Sequence, residues 1–263
     1  MAAKAPAAAG VAGPRTVAKA AVPRTSLPED FLRKAMGARS PDARARWALQ
    51  GLATRAPLDR TTQAMLLRQL YLSHYERGQF DAAHDVARQA LDLGVLVDVF
   101  RQDASRAALA AGDIDAAVVH LRLAARRGPV SRRPFHQWTL GSVLFLAHRY
   151  DEATAALARA ARWGTRDKPL YRAHLALVRL AAGDQVADLP ATIEELAAAP
   201  CGRGYGRFVL GHLAYAAGEV DAARRFLEAF VRGAATSDRP ELQTALSGEL
   251  AMARATLAKM AAN

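Results

Sequence analysis

The chain of 263 residues has a single cysteine, Cys201, only five lysines among its 36 cationic side chains, and one asparagine, at its last position. One thiol excludes an intramolecular disulfide framework and a zinc site built from several cysteines. It fits a reducing compartment, and a cytoplasmic protein is expected. Aromatic residues make up 6% of the chain and isoleucine is scarce, which argues against sheets, since both are enriched in strands. No run of about 18 apolar residues occurs, so no transmembrane segment is expected. Residues 1–25 have no acidic side chain and carry Lys4, Arg15, Lys19 and Arg24 among alanines, prolines and glycines. They lack the leucine-rich centre of a secretory signal, and their prolines and glycines break an amphipathic targeting helix. A disordered basic tail is expected there, with an organellar transit peptide as the alternative.

What is abundant is alanine, roughly a quarter of the chain, which favours helices. The net charge is +11 and the pI about 10.5. That balance admits nucleic acid, an anionic surface or an acidic protein as partner. Arginine without lysine, asparagine or isoleucine is also what a GC-rich coding sequence produces.

Order is expected to begin at Ser26-Leu27-Pro28-Glu29, with Ser26 capping a first turn and Glu29 closing a capping box. A short helix carries Phe31, Leu32 and Met36 and stops near Gly37. Ser40-Pro41-Asp42 starts a second, with Trp47, Leu49 and Leu52 on one face. Residues 26–56 thus read as a terminal helical pair, a cap or a degenerate repeat. From there a period of 34–36 residues governs the chain. Gly78, Gly112, His148, Gly183 and Gly218 each follow one apolar helical pattern. All but Gly183 precede an apolar-Asp-small opening of the next, as in Phe80-Asp81-Ala82-Ala83 and Tyr150-Asp151-Glu152-Ala153. Self-similarity at this period means stacked helix pairs, none able to bury its apolar face alone. Glycine permits the left-handed backbone that ends the first helix, and the aspartate favours the positive end of the second. Ala83, Ala117, Ala153 and Ala223 allow close helix approach, with Leu91, Leu121, Leu157 and Leu227 filling the seam. In the fourth unit Pro190 falls where the second helix should begin, so that helix is expected to start late and run to about Ala199. Residues 237–262 are expected to form one long capping helix with Leu242, Leu246, Leu250 and Leu257 on one face.

These landmarks resemble the tetratricopeptide repeat. Its aromatic, Leu-Gly, aromatic and small-residue pattern is best matched by Trp138, Leu140-Gly141, Phe145, Ala153 and Ala160, with Phe208, Leu210, Gly211 and Ala223 a second match and Pro129 a further one. Tyr71 and Ser105 depart from the family's small residue. The resemblance spans residues 62–233 and implies an all-α solenoid of five antiparallel helix pairs, the fourth degenerate. It also implies that the first helix of each pair lines a concave groove receiving a peptide or helix of a protein partner. Carried over by alignment, the groove positions are Arg68, Leu72 and Tyr75; Gln102, Arg106 and Leu109; Trp138, Ser142 and Phe145; Leu177 and Leu180; and Phe208, His212 and Tyr215. Arg68 and Arg106 suit a carboxylate, and Trp138, Phe145, Phe208 and Tyr215 suit an apolar segment. A slip of one residue turns half of these into core, and Trp138 and Phe145 stay open between the two. The asparagine and lysine clamp of chaperone-binding members cannot be built, because lysine is absent between Lys34 and Lys168.

Arg126, Arg127, Arg132 and Arg133 concentrate charge in one inter-repeat loop, which suits phosphates or an acidic partner or, structurally, a solvated helix C-terminus. Together with the basic tail they carry the alternative function, binding of nucleic acid or an anionic surface. Cys201-Gly202-Arg203-Gly204-Tyr205-Gly206 follows a helix and lacks Gly-Lys-Ser/Thr, so it reads as a flexible joint and not a phosphate loop. His74, His84, His120, His136, His148, His174 and His212 include no HExxH spacing. Asp113-Ile114-Asp115 lacks the remaining ligands of a calcium loop. No enzyme, cofactor or metal is expected; the expected function is a protein-interaction scaffold.

Overall fold

The computed structural model describes residues 27–237 and 241–262; the basic tail expected over residues 1–25, and Ser26, lie outside them. Fourteen helices are found among the described residues, with no strand. A leading pair is α1 (Pro28–Met36) and α2 (Pro41–Leu52). Five units follow: α3 (Arg60–Glu76) with α4 (Phe80–Asp92), α5 (Val97–Ala110) with α6 (Ile114–Arg127), α7 (Arg133–Leu146) with α8 (Tyr150–Trp163), α9 (Lys168–Ala181) with α10 (Leu189–Ala198), and α11 (Gly206–Ala216) with α12 (Val220–Ala235). The chain closes with α13 (Glu241–Ala245) and α14 (Ser247–Ala262). Each helix packs chiefly on its neighbours in sequence, as in an α-solenoid.

The turn inside each unit is the same device five times. Gly78, Gly112, Gly183 and Gly218 have φ of 71°, 87°, 91° and 81°, and His148 takes the same left-handed conformation at 58°. The next residue's N–H then donates to the carbonyl five positions back, as Gln79 to His74 at 2.9 Å and Arg149 to Leu144 at 2.9 Å. This is the Schellman closure, which satisfies carbonyls a helix end would leave bare. Asp81, Asp115, Asp151 and Asp221 lie in the first turn of the helix that follows.

Within the units, Ala83, Ala117, Ala153 and Ala223 are completely buried. A Cβ on Gly141 would lie 2.5 Å from Leu157, and one on Gly211 2.5 Å from Leu227, so these helices touch backbone to leucine. Sixteen residues separate each such pair, and the same spacing joins Tyr71 to Ala87 in the first unit. Large against small has replaced small against large, and both residues are buried in one cluster.

Several local expectations are corrected. Leu27, not Ser26, precedes the first turn of α1, and Asp30 rather than Glu29 accepts from its N–H at 3.2 Å. On α2 the buried face is Ala45, Ala48 and Gly51, while Leu49 is exposed, because the α2–α3 contact is too close for larger groups. A Cβ on Gly51 would lie 2.8 Å from Leu66. The segment at Cys201 is a packed corner, not a flexible joint: a 3-10 turn spans Pro200–Gly202. Cβ atoms at Gly202 and Gly206 would fall 2.1 and 2.2 Å from backbone oxygens. The expected single C-terminal helix is interrupted at Leu246, between α13 and α14. Just past it the Gly248 backbone lies close to Leu146 of α7, to which a Cβ would come within 3.0 Å.

Candidate partner-binding face

The first helices of successive units touch each other, α3 with α5, α7 with α9 and α9 with α11, so they form the inner face of the stack. The short α10 leaves α9 and α11 packed directly together. Of the positions expected on this face, Leu72, Leu109, Trp138, Leu180 and Tyr215 are partly exposed and Arg106 is exposed.

The remainder are not free. Phe145 and Phe208 are 3% and 0% exposed and belong to the core; Phe208 packs against Phe230 of α12 at a centroid distance of 5.5 Å. Tyr75, Ser142, Leu177 and His212 are also buried. Gln102 is buried because its amide donates to His136 Nδ1 at 2.9 Å, across the α5–α7 boundary. Arg68 is engaged by the chain's own Asp103, whose Oδ2 accepts from its Nε at 2.9 Å, and Arg106 lies 3.7 Å from Oδ1 of the same carboxylate. Periodicity assigns a face to each residue but not its partner, and these arginines already have one.

A cluster no sequence signal marked lies between α7, α9 and α11. Trp138 Nε1 donates to His174 Nδ1 at 3.2 Å, so the ring proton of His174 is assigned to Nε2, which has no partner among the described residues. Burial holds His174 down to about 3 and His212 to about 4. Tyr205 meets the Trp138 ring edge-on at 4.9 Å and donates its hydroxyl to Glu249 Oε1 at 3.2 Å. Glu249 is buried on the first turns of α14, and desolvation pushes its carboxyl up to about 7.

No protein-family model matches the chain, and no curated protein matches it. What the chain offers must be read from its own surface.

On that surface the inner face is crossed by the C-terminal elements. A cavity of about 300 Å³ is walled by Tyr75, Arg106 and Leu109 on one side, Val143 and Leu146 on another, and Thr244, Ala245, Ser247, Gly248 and Glu249 on the third. The charge of Glu241 is felt at Tyr75, whose hydroxyl burial pushes to about 12.

The arginine loop is partly structural. Arg132 donates to Asp98 Oδ1 at 3.0 Å and Arg133 Nε to the Gly128 carbonyl at 3.1 Å, while Arg126 and Arg127 are exposed. Arg126 and Arg133 join Arg122, Arg159 and the half-exposed Trp163 around an open cavity of about 490 Å³. On the second helices, His84 and His120 face each other with Nε2 atoms 3.2 Å apart, and Arg101 reaches His120 Nδ1 at 3.1 Å. An arginine donating to Nδ1 places the His120 proton on Nε2, directed at His84, so the pair is a hydrogen bond. Among the described residues no three His, Cys, Asp or Glu side chains converge as metal ligands, and no helix is long and apolar enough to cross a membrane.

Proposed function

We propose that the chain is a tetratricopeptide-like scaffold that binds a segment of another protein on its inner face and carries out no chemistry of its own. The observation that carries this reading is the wall of Arg106, Leu109, Val143 and Leu146 around an inner cavity, apolar with one cation at its rim. The resemblance to the tetratricopeptide family is supported by the repeated left-handed turns and by the Gly141–Leu157 and Gly211–Leu227 approaches. Trp138 and Phe145 are poor targets for testing it, since Phe145 is core. Arg106 and Leu109 serve instead. The pair R106E and L109S is expected to lose at least one protein that the wild-type chain retains in affinity capture, with unchanged far-ultraviolet dichroism. An identical retained set would overturn the reading.

A second reading draws on one specific feature, the four arginines and Trp163 around the outer cavity. Guanidinium groups with an exposed aromatic ring suit phosphates and a stacking base. Nucleic-acid binding should then fall steeply with salt, each neutralised phosphate contributing about one to the logarithmic slope. R126E and R133E should flatten that slope; a wild-type response that is flat from the start discards the reading.

A further inference from the structure

The C-terminal elements do two separable jobs. The latter part of α14 is a cap: Leu250, Ala253 and Met260 are buried, α14 packs on α12 and α11, and Arg224 of α12 donates to the Met260 carbonyl at 3.2 Å. None of this needs α13 or the start of α14. Those parts continue across the inner face, where α13 meets α5, Gly248 meets Leu146 of α7, and Glu249 takes the Tyr205 hydroxyl before α11. One short segment thus touches the first helices of three units, the surface read above as partner-binding.

The contact is also of a displaceable kind. Leu242 and Leu246, one helical turn apart, are only partly buried, and a cavity of about 300 Å³ remains between this segment and the inner face beside its contacts with α5 and α7. Glu249 is a buried carboxyl held by the Tyr205 hydroxyl and a backbone N–H, and burying it costs free energy that a core leucine would not. Loose packing and a buried, desolvated carboxyl mark a contact that other occupants can match.

We propose that α13 and the first turn of α14 are a built-in occupant of the inner face, competing with an amphipathic segment of a protein partner that offers the same chemistry, two leucine-like residues a turn apart followed by a carboxyl. The chain's charge of +11 and the exposed Arg106 at the rim favour such an acidic segment over a basic one. The proposal rests on the inner face being a partner surface, and its test uses the chain's own segment, so the two can fail separately.

A labelled peptide of residues 237–252 is titrated with the full chain and with the full-length double variant L242D and L246D. An occupied face taxes the affinity of any competitor by the fraction of chains that are open. The peptide is therefore expected to bind the variant at least about tenfold more tightly than the wild type. Equal affinity for both, or binding to neither, overturns the proposal. Should the aspartates alter the dichroism, L242A and L246A make the same comparison. A chain that passes this test yet retains no protein in affinity capture keeps its occupant and loses the partner reading.

Discussion

Replacing Asp98 by alanine is expected to cost about 3 kcal/mol of stability in urea denaturation of the full chain. Asp98 lies in the first turn of α5 and is 5% exposed. Its Oδ2 accepts from His136 Nε2 at 2.9 Å and its Oδ1 from Arg132 at 3.0 Å. The Gln102 amide donates to His136 Nδ1, which fixes the imidazole proton on Nε2, facing the carboxylate. Desolvation dominates at His136 and lowers its proton affinity despite the neighbouring carboxylate, so the ring is neutral at pH 7. Alanine would leave a buried N–H with no acceptor and remove the negative charge from the start of α5. Arg132 is 44% exposed and turns to water at little cost, so it contributes the smaller share. Asn at position 98 keeps an acceptor for His136 and should cost about 1 kcal/mol, a hydrogen bond's net contribution. A loss below that from the alanine variant would show that the second and third units are joined by apolar packing alone.

That bridge also shows where the sequence stops being legible. The left-handed turns were readable, His148 among them, because a chain reversal between helices makes a local demand that local residues meet. The late start of α10 followed from Pro190 for the same reason. Asp98, His136 and Gln102 gave no sign, since their meeting depends on how one unit is set against the next across some 34–38 positions. The ion pair of Arg68 was illegible for the same reason: its partner Asp103 belongs to the neighbouring unit, 35 positions on. The C-terminal interruption escaped because Leu242, Leu246, Leu250 and Leu257 keep helical spacing straight through it. Only the proximity of Leu146 to Gly248 explains the break, and no spacing encodes that.

Stability is expected to rise steeply with pH from about 4 to 6.5 and to level off near pH 7. His174 and His212 titrate near 3 and 4 in the fold, below the ordinary 6.5. His120, lowered to about 4 by desolvation first and then by Arg101, acts in the same sense, as does His136. Between pH 6.5 and 4 the unfolded chain therefore binds more protons, and stability drops as the pH falls through that window. Glu249 has the opposite sign. Its folded value of about 7 lies above the ordinary 4.5, so its contribution is complete below 4.5 and is lost as the pH rises to 7. Imidazoles outnumber the carboxyl, and a net difference of about two protons gives a slope on the order of 3 kcal/mol per pH unit on the acid side. Above pH 6.5 the residual protonation of the unfolded imidazoles and the proton held by Glu249 nearly cancel, so the curve flattens. E249Q takes away the opposing group and steepens the acid limb, whereas H212L makes it shallower. Urea denaturation of the full-length proteins at half-unit steps from pH 4.5 to 8 separates these effects. An acid limb that E249Q leaves unchanged would mean that Glu249 is solvated, and with it that α14 does not bury its first turns on Tyr205.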